Sequence, residues 1–242
     1  MEWSGEGMVL SVRAQGESAA IVDIFTATQG RHAGVVRGGT GRRLAPVLMP
    51  GNTVAVVWRA RLGEHLGHFT VEPLRARAAD LLGDRLALAG ISAICAMVAH
   101  ALPERASHPA LHAATMTLVE ALGSVPDWPT LYLRWELGLL ADLGFGLDLA
   151  SCAVTGAREG LVWVSPRTGR AATAAAARGW EDKLLPLPPL LLGGPADAAG
   201  LAQGLALTGH FLHRALCADP GARPLPEARA RLVDLLARPL QV

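Results

Sequence analysis

Lysine is almost absent from this sequence: Lys183 is the single example, against 21 arginines. Codon composition is one source of such a bias, and its consequence is a cation set built for planar, forked contacts with phosphates and carboxylates. Cysteine is scarce as well. Cys95, Cys152 and Cys217 are far apart, form no CxxC pair and make no even set, which argues against a disulfide framework and for a reduced, cytoplasmic setting. Charge is low, at 18% of residues against about 25% in an average globular protein. With 51% hydrophobic residues and a mean hydropathy of +0.31, the chain is too apolar to be disordered. Its 242 residues suffice for one large domain or two small ones. Neither sign of charge dominates, since 22 basic and 21 acidic residues leave a net +1. A nucleic-acid partner must therefore meet a local patch.

Targeting and catalytic signatures are missing too. The first residues show no basic n-region and no apolar run of signal-peptide length, so a signal peptide is not expected. The longest apolar stretch, Leu86–Leu102, has 17 residues, contains Ser92 and His100 and stands alone. A fully buried helix is the expected reading, with no membrane partner. No internal repeat is present, and neither is GxxxxGK[ST], HExxH or GxSxG. Gly34–Gly41 is glycine-rich but lacks the Lys and hydroxyl residue of a phosphate cradle in register, so it reads as a basic loop. His108/His112 and His210/His213 have helical spacing without an acidic neighbour, and are expected on helix surfaces or in the core. Glu181-Asp182 stands without a second carboxylate cluster, which gives a two-metal nuclease nothing to build on. No catalytic residue, cofactor or metal is expected.

What is present has two textures. Met8–Val12, Ala20–Phe25, His32–Val36, Thr53–Arg59 and Gly67–Val71 read as short strands separated by Gly-, Asn- and Pro-rich turns. Five strands in about 70 residues suggest a small closed barrel of the oligonucleotide/oligosaccharide-binding (OB) type. Past Pro73 the pattern turns helical: one apolar stretch over 76–102, then helices near 107–123, 131–143 and 196–218, and a last one opened by Pro226. Gly200, Gly204 and Gly209 weaken the case for the 196–218 helix. Leu161–Val164, the Ser165–Gly169 turn and the Ala-rich 171–177 segment read as an inserted hairpin. The fold class expected is α+β, with a barrel domain over 1–75 and a helical domain over 76–242 that carries an insertion at about 151–180.

Charge is uneven along the chain. From Ile24 to Gly63 there is no Asp or Glu, while Arg31, Arg37, Arg42, Arg43, Arg59 and Arg61 all fall in that window. The 37–43 loop, Arg-Gly-Gly-Thr-Gly-Arg-Arg, combines glycines that admit close approach with arginines that fork onto phosphates. These six arginines are the candidate DNA-binding residues. Trp58 beside Arg59 is either a stacking face for a base or, by strand alternation, a core residue.

Two blocks of residues resemble the RecO family of bacterial DNA repair proteins. The first comprises Val9-Leu-Ser-Val-Arg13, Gly16-Glu-Ser18, Phe25-Thr26, Gly30-Arg31, the 37–43 loop and Leu48-Met-Pro-Gly51. The second comprises Leu133-Arg-Trp-Glu-Leu137, Leu143-Gly-Phe-Gly-Leu-Asp-Leu149, Cys152, Val164-Ser-Pro-Arg-Thr-Gly169 and Leu184-Leu-Pro-Leu-Pro188. The resemblance implies an OB barrel, a helical domain and a zinc-ribbon-like insertion. It further implies a recombination mediator that is not an enzyme: one that binds single- and double-stranded DNA, anneals strands and helps load RecA where single-strand-binding protein covers DNA. RecR and the acidic C-terminal tail of single-strand-binding protein are the implied protein partners, and the nucleoid the implied location. Arg134, Arg214 and Arg223, cations near apolar helical sequence, are the candidates for holding that tail. The plainer readings are an ion pair of Arg134 with Asp142 or Glu136, and a helix-end charge for Arg214. Two alternatives stay open: an enzyme processing nucleic acid with the barrel as its grip, and an RNA-associated OB protein. Some relatives carry four zinc-binding cysteines in the insertion. Here Thr155 stands where the partner of Cys152 would, and 165–178 has no cysteine, so no zinc is expected.

Overall fold

The computed structural model describes residues 1–62, 65–219 and 221–237. Gly63, the last residue of the acid-free window, lies outside them. Strands β1 (Glu2–Gln15), β2 (Ala19–Thr26), β3 (Gly30–Val36), β4 (Thr53–Arg59) and β5 (His68–Arg75) close a barrel in the order β1-β2-β3-β5-β4. β1 pairs with both β2 and β4, and β3 meets β5 in parallel. This is an OB barrel. Alternation along β4 sends Val54, Val56 and Trp58 inward and leaves Arg59 outside. Val22, Ile24, Val36, Leu48 and Phe69 complete the core. β1 begins at Glu2, well before the expected Met8. Gly5 and Gly7 hide this extension in the sequence, because glycine weakens a strand pattern. Gly7 is there for packing: a Cβ on it would lie 2.5 Å from Ile24 Cγ2.

The apolar 76–102 stretch is not one helix. It breaks into α1 (Arg77–Asp80) and α2 (Arg85–Ala101), and Asp84 caps α2 by accepting from the Ala87 amide at 2.9 Å. α2 lies against β1 and buries Ile91, Ile94, Cys95 and Val98. Burial pushes the Cys95 thiol up to about 12, as suits a small apolar residue. Among the described residues no helix is long and apolar enough to cross a membrane. α3 (Pro109–Ala121) sets His112 edge-on to Phe25 at 5.0 Å, and burial lowers the basicity of this histidine. The chain divides into two compact units. One is Met1–Val125 with Pro226–Leu232; the other is Pro126–Leu225 with the described residues from Val233 on. The expected boundary after residue 75 follows the change from strand to helix. The division by packing falls later, because α2 and α3 lie on the barrel's own strands.

In the second unit α4 (Trp128–Asp142) packs on α5 (Ala198–Leu216). Gly204 permits this: a Cβ there would sit 2.3 Å from Leu133 Cδ2. Buried Glu136 accepts from the Thr208 hydroxyl across the same pair of helices. The insertion contains β6 (Leu161–Val164) and β7 (Ala171–Thr173), as expected, plus an unforeseen third strand, β8 (Leu185–Pro186), in the order β7-β6-β8. The last helix is α6 (Glu227–Ala237).

Candidate nucleic-acid interface

The glycine-rich loop after β3 is pinned to the β1–β2 turn. The Thr40 amide donates to Ser18 O and its hydroxyl to Glu17 O, both at 3.2 Å. Gly39 packs so closely that a Cβ would meet Ala20 Cβ at 2.7 Å. A fixed backbone thus carries Arg37, Arg42 and Arg43, all exposed and without an ion pair among the described residues. An open groove of about 490 Å³ beside the loop brings Arg37 and Arg43 together with Arg59, His68 and Thr70. Arg59 is bound to Glu2 at 2.9 Å. That hydrogen bond holds the Glu2 carboxyl below its usual range and raises Arg59 further. Arg61 is exposed beyond the end of β4.

Arg31 is not part of this face. Its side chain is 16% exposed, and its guanidinium donates to the Ala99 carbonyl and pairs with Glu104 at 3.3 Å. The cause is tertiary: the Ala99 carbonyl of α2 and the Glu104 carboxylate just beyond it take up the guanidinium. Trp58 is a core residue, as alternation indicates: it is buried and donates from Nε1 to Leu66 O at 3.1 Å.

The second unit holds a smaller cavity of about 180 Å³, lined by Phe145, Leu147, Arg167, Gly169, Phe211 and Arg214. Arg214 donates to the carbonyls of Pro166 and Arg167, so it ties α5 to the β6–β7 turn and is more than a helix-end charge. Arg167, which sequence reasoning missed, shares that rim. Arg134 is exposed on α4 without an ion pair among the described residues, and Arg223 is exposed after α5. Neither lines the cavity.

Both halves of the chain match known sequences. The family model described as Recombination protein O N terminal covers residues 1–77, and the one described as Recombination protein O C terminal covers 82–224. The chain is 61% identical to DNA repair protein RecO of Cereibacter sphaeroides over 98% of its own length and 100% of that protein's. It is 53% identical to DNA repair protein RecO of Roseobacter denitrificans over 99% and 100%. The chain belongs to the RecO family.

This RecO-family chain departs from the zinc-binding pattern in its insertion, and the donor set there does not suit zinc. Cys152 is buried, with its Sγ 3.9 Å from the Thr173 hydroxyl. Hydrogen bonds from the Thr155 side chain and from backbone amides lower its thiol to about 6. One thiolate with two neutral hydroxyls is not the four-ligand set that closes a tetrahedral zinc site. The Leu143–Leu149 segment supplies Phe145 and Leu147 to the cavity that Arg214 also lines.

Proposed function

We propose that this RecO-family chain is a DNA-binding recombination mediator rather than an enzyme. It holds single- and double-stranded DNA on the barrel, anneals complementary strands and helps RecA load onto strands covered by single-strand-binding protein, with RecR as partner, at the nucleoid in the cytoplasm. The observation that carries this reading is the convergence of Arg37, Arg43 and Arg59 on one groove beside Arg42. The groove lining contains no acid. Arginines neutralising phosphates release counterions, so affinity falls steeply with salt, with a log–log slope of about −0.7 per phosphate on single strands. Replacing Arg42 and Arg43 together by Ala should weaken all sequences alike and flatten that slope by about one to two units. Unchanged affinity and slope would remove the barrel face from consideration.

The helical unit supplies the second half of the proposal. An acidic tail ending in an apolar residue and a free carboxylate needs an apolar cavity rimmed by cations. Phe145, Leu147 and Phe211 supply the walls, with Arg167 and Arg214 at the rim. Titration of a labelled tail peptide should show weaker binding to Arg214→Glu or Arg223→Glu, with naked-DNA binding preserved. If only the Arg214 reversal has an effect, the tail sits in the cavity alone and Arg223 drops out.

A further inference from the structure

One end of the barrel opens into a cavity of about 530 Å³ whose lining includes Glu2, Trp3, Gln29, His32, Trp58 and Arg105. The volume falls in the range of about 300–1,000 Å³ usual for small-ligand sites. Its walls are aromatic. Trp3 and Trp58 lie nearly parallel, 20° apart at 6.1 Å, and His32 meets both edge-on at 5.2 and 4.6 Å. Phe69 backs the cluster.

The polar atoms in this wall are unfinished. The indole nitrogen of Trp3 and both ring nitrogens of His32 are buried without a hydrogen-bond partner among the described residues. Buried polar atoms are ordinarily paired, and His32 is only 4% exposed. Trp58 shows the contrast, since its indole nitrogen has Leu66 O. Burial above all, with the Arg105 charge behind it and Asp23 opposing, lowers the His32 imidazole to about 4. At neutral pH one of its nitrogens therefore donates and the other accepts. Together with the Trp3 N–H, the aromatic cluster lining the cavity holds two buried donors and one buried acceptor without partners among the described residues.

The charges on the rim narrow the ligand. Glu2 is engaged by Arg59, and Arg105 stands 5.9 Å over Trp58. Arg105 is fixed: its amide donates to Arg31 O at 2.7 Å, its guanidinium to His65 O at 2.9 Å, and its φ of 65° is the one left-handed non-glycine conformation among the described residues. A cationic ligand is disfavoured by Arg105 and a hydrocarbon by the unpaired nitrogens. A neutral planar heterocycle with donors and acceptors on its edge suits both. The basic groove and the cavity are neighbours on the barrel: Arg59 lines the groove while holding Glu2, and Phe69 lines the groove while packing against His32 and Trp3.

We propose that this cavity receives one unstacked base of a single DNA strand whose phosphates lie along the groove of Arg37, Arg43 and Arg59. The proposal rests on the DNA-binding reading above and adds a base-holding site to it. The aromatic walls stack the base, while Trp3 and His32 take its hydrogen-bonding edge.

The test compares two fluorescently labelled strands of equal length on the full chain: oligothymidylate, and the same sugar-phosphate backbone with abasic residues throughout. The wild type should bind the abasic strand about tenfold or more weakly, with the same salt slope. Trp3→Phe keeps the ring and removes the N–H; it and His32→Leu should weaken oligothymidylate several-fold and leave the abasic strand unchanged. Equal affinity of the wild type for both strands overturns the base site, and needs no variant to fold. Variants that weaken both strands equally overturn it too. Free thymidine binding as tightly as the strand assigns the cavity to nucleosides and overturns the strand-bound reading. If neither strand binds even at low salt, it is the DNA-binding reading that fails.

Discussion

Single residues in the barrel show how burial decides the use of a side chain. Arg31 and Arg42 are identical in chemistry and close in sequence, yet one is tied to Glu104 and the Ala99 carbonyl and the other faces solvent. His32, next to Arg31, titrates well below an ordinary histidine. Between about pH 6.5 and 4 the unfolded chain binds a proton that the folded His32 does not, so stability falls with falling pH across that window and levels off below it. The loss is on the order of 3 kcal/mol. Urea unfolding from pH 8 to pH 4 should show this decrease in the wild type and lose it in His32→Leu. Gly30 makes a purely steric point. It has φ +63°, and a Cβ would fall 1.7 Å from the Ala106 carbonyl oxygen. Gly30→Ala should cost more than about 2 kcal/mol in thermal or urea unfolding, combining left-handed strain with a backbone clash.

Between elements, a cluster of ion pairs joins β5 of the barrel to α1 and α3. The Arg77 guanidinium, in α1 and almost fully buried, pairs with Glu120 of α3, which also meets Arg75 of β5 at 2.8 Å. Arg77, with Arg75 assisting, holds the Glu120 carboxyl below its usual range. This contribution is therefore present above pH 4.5 and is lost as pH falls through the lowered folded value. Glu120→Gln should destabilise by about 1–3 kcal/mol at pH 7, less than a fully buried pair because Glu120 is half-exposed. The difference from wild type should shrink on acidification; a pH-independent difference would mean that packing, not charge, carries the contact.

At the scale of the whole chain, the two proposed surfaces belong to different compact units: the arginine groove to the first, the Phe145–Phe211 cavity to the second. Free-energy changes at sites without shared partners add to within about 0.5 kcal/mol. Combining Arg42→Ala and Arg43→Ala with Arg214→Glu should therefore reproduce the separate losses of DNA and tail-peptide affinity. An interaction energy well above that margin would show the two activities coupled through the chain.

The sequence by itself determined the barrel, because period-two alternation and turn residues depend only on near neighbours: β2, β3 and β4 start and stop within two residues of the expected strands. It also determined which arginines are candidates, since an acid-free window is a property of the chain order. The arginines of the 37–43 loop stayed exposed because their charged heads favour water, while Gly39 between them packs on Ala20. Only the tertiary structure decided the rest. The partners of Arg31, Ala99 and Glu104, lie some 70 residues away in the chain, so no local pattern could remove it from the basic face. Trp3 went unnoticed among glycines until β4 paired with it and placed it beside Trp58 and His32. Arg167 and Phe145 were ordinary loop residues until the fold set both against Phe211. Near-neighbour chemistry writes elements into a sequence, whereas a cavity is made by residues distant in the chain and exists only once they have packed.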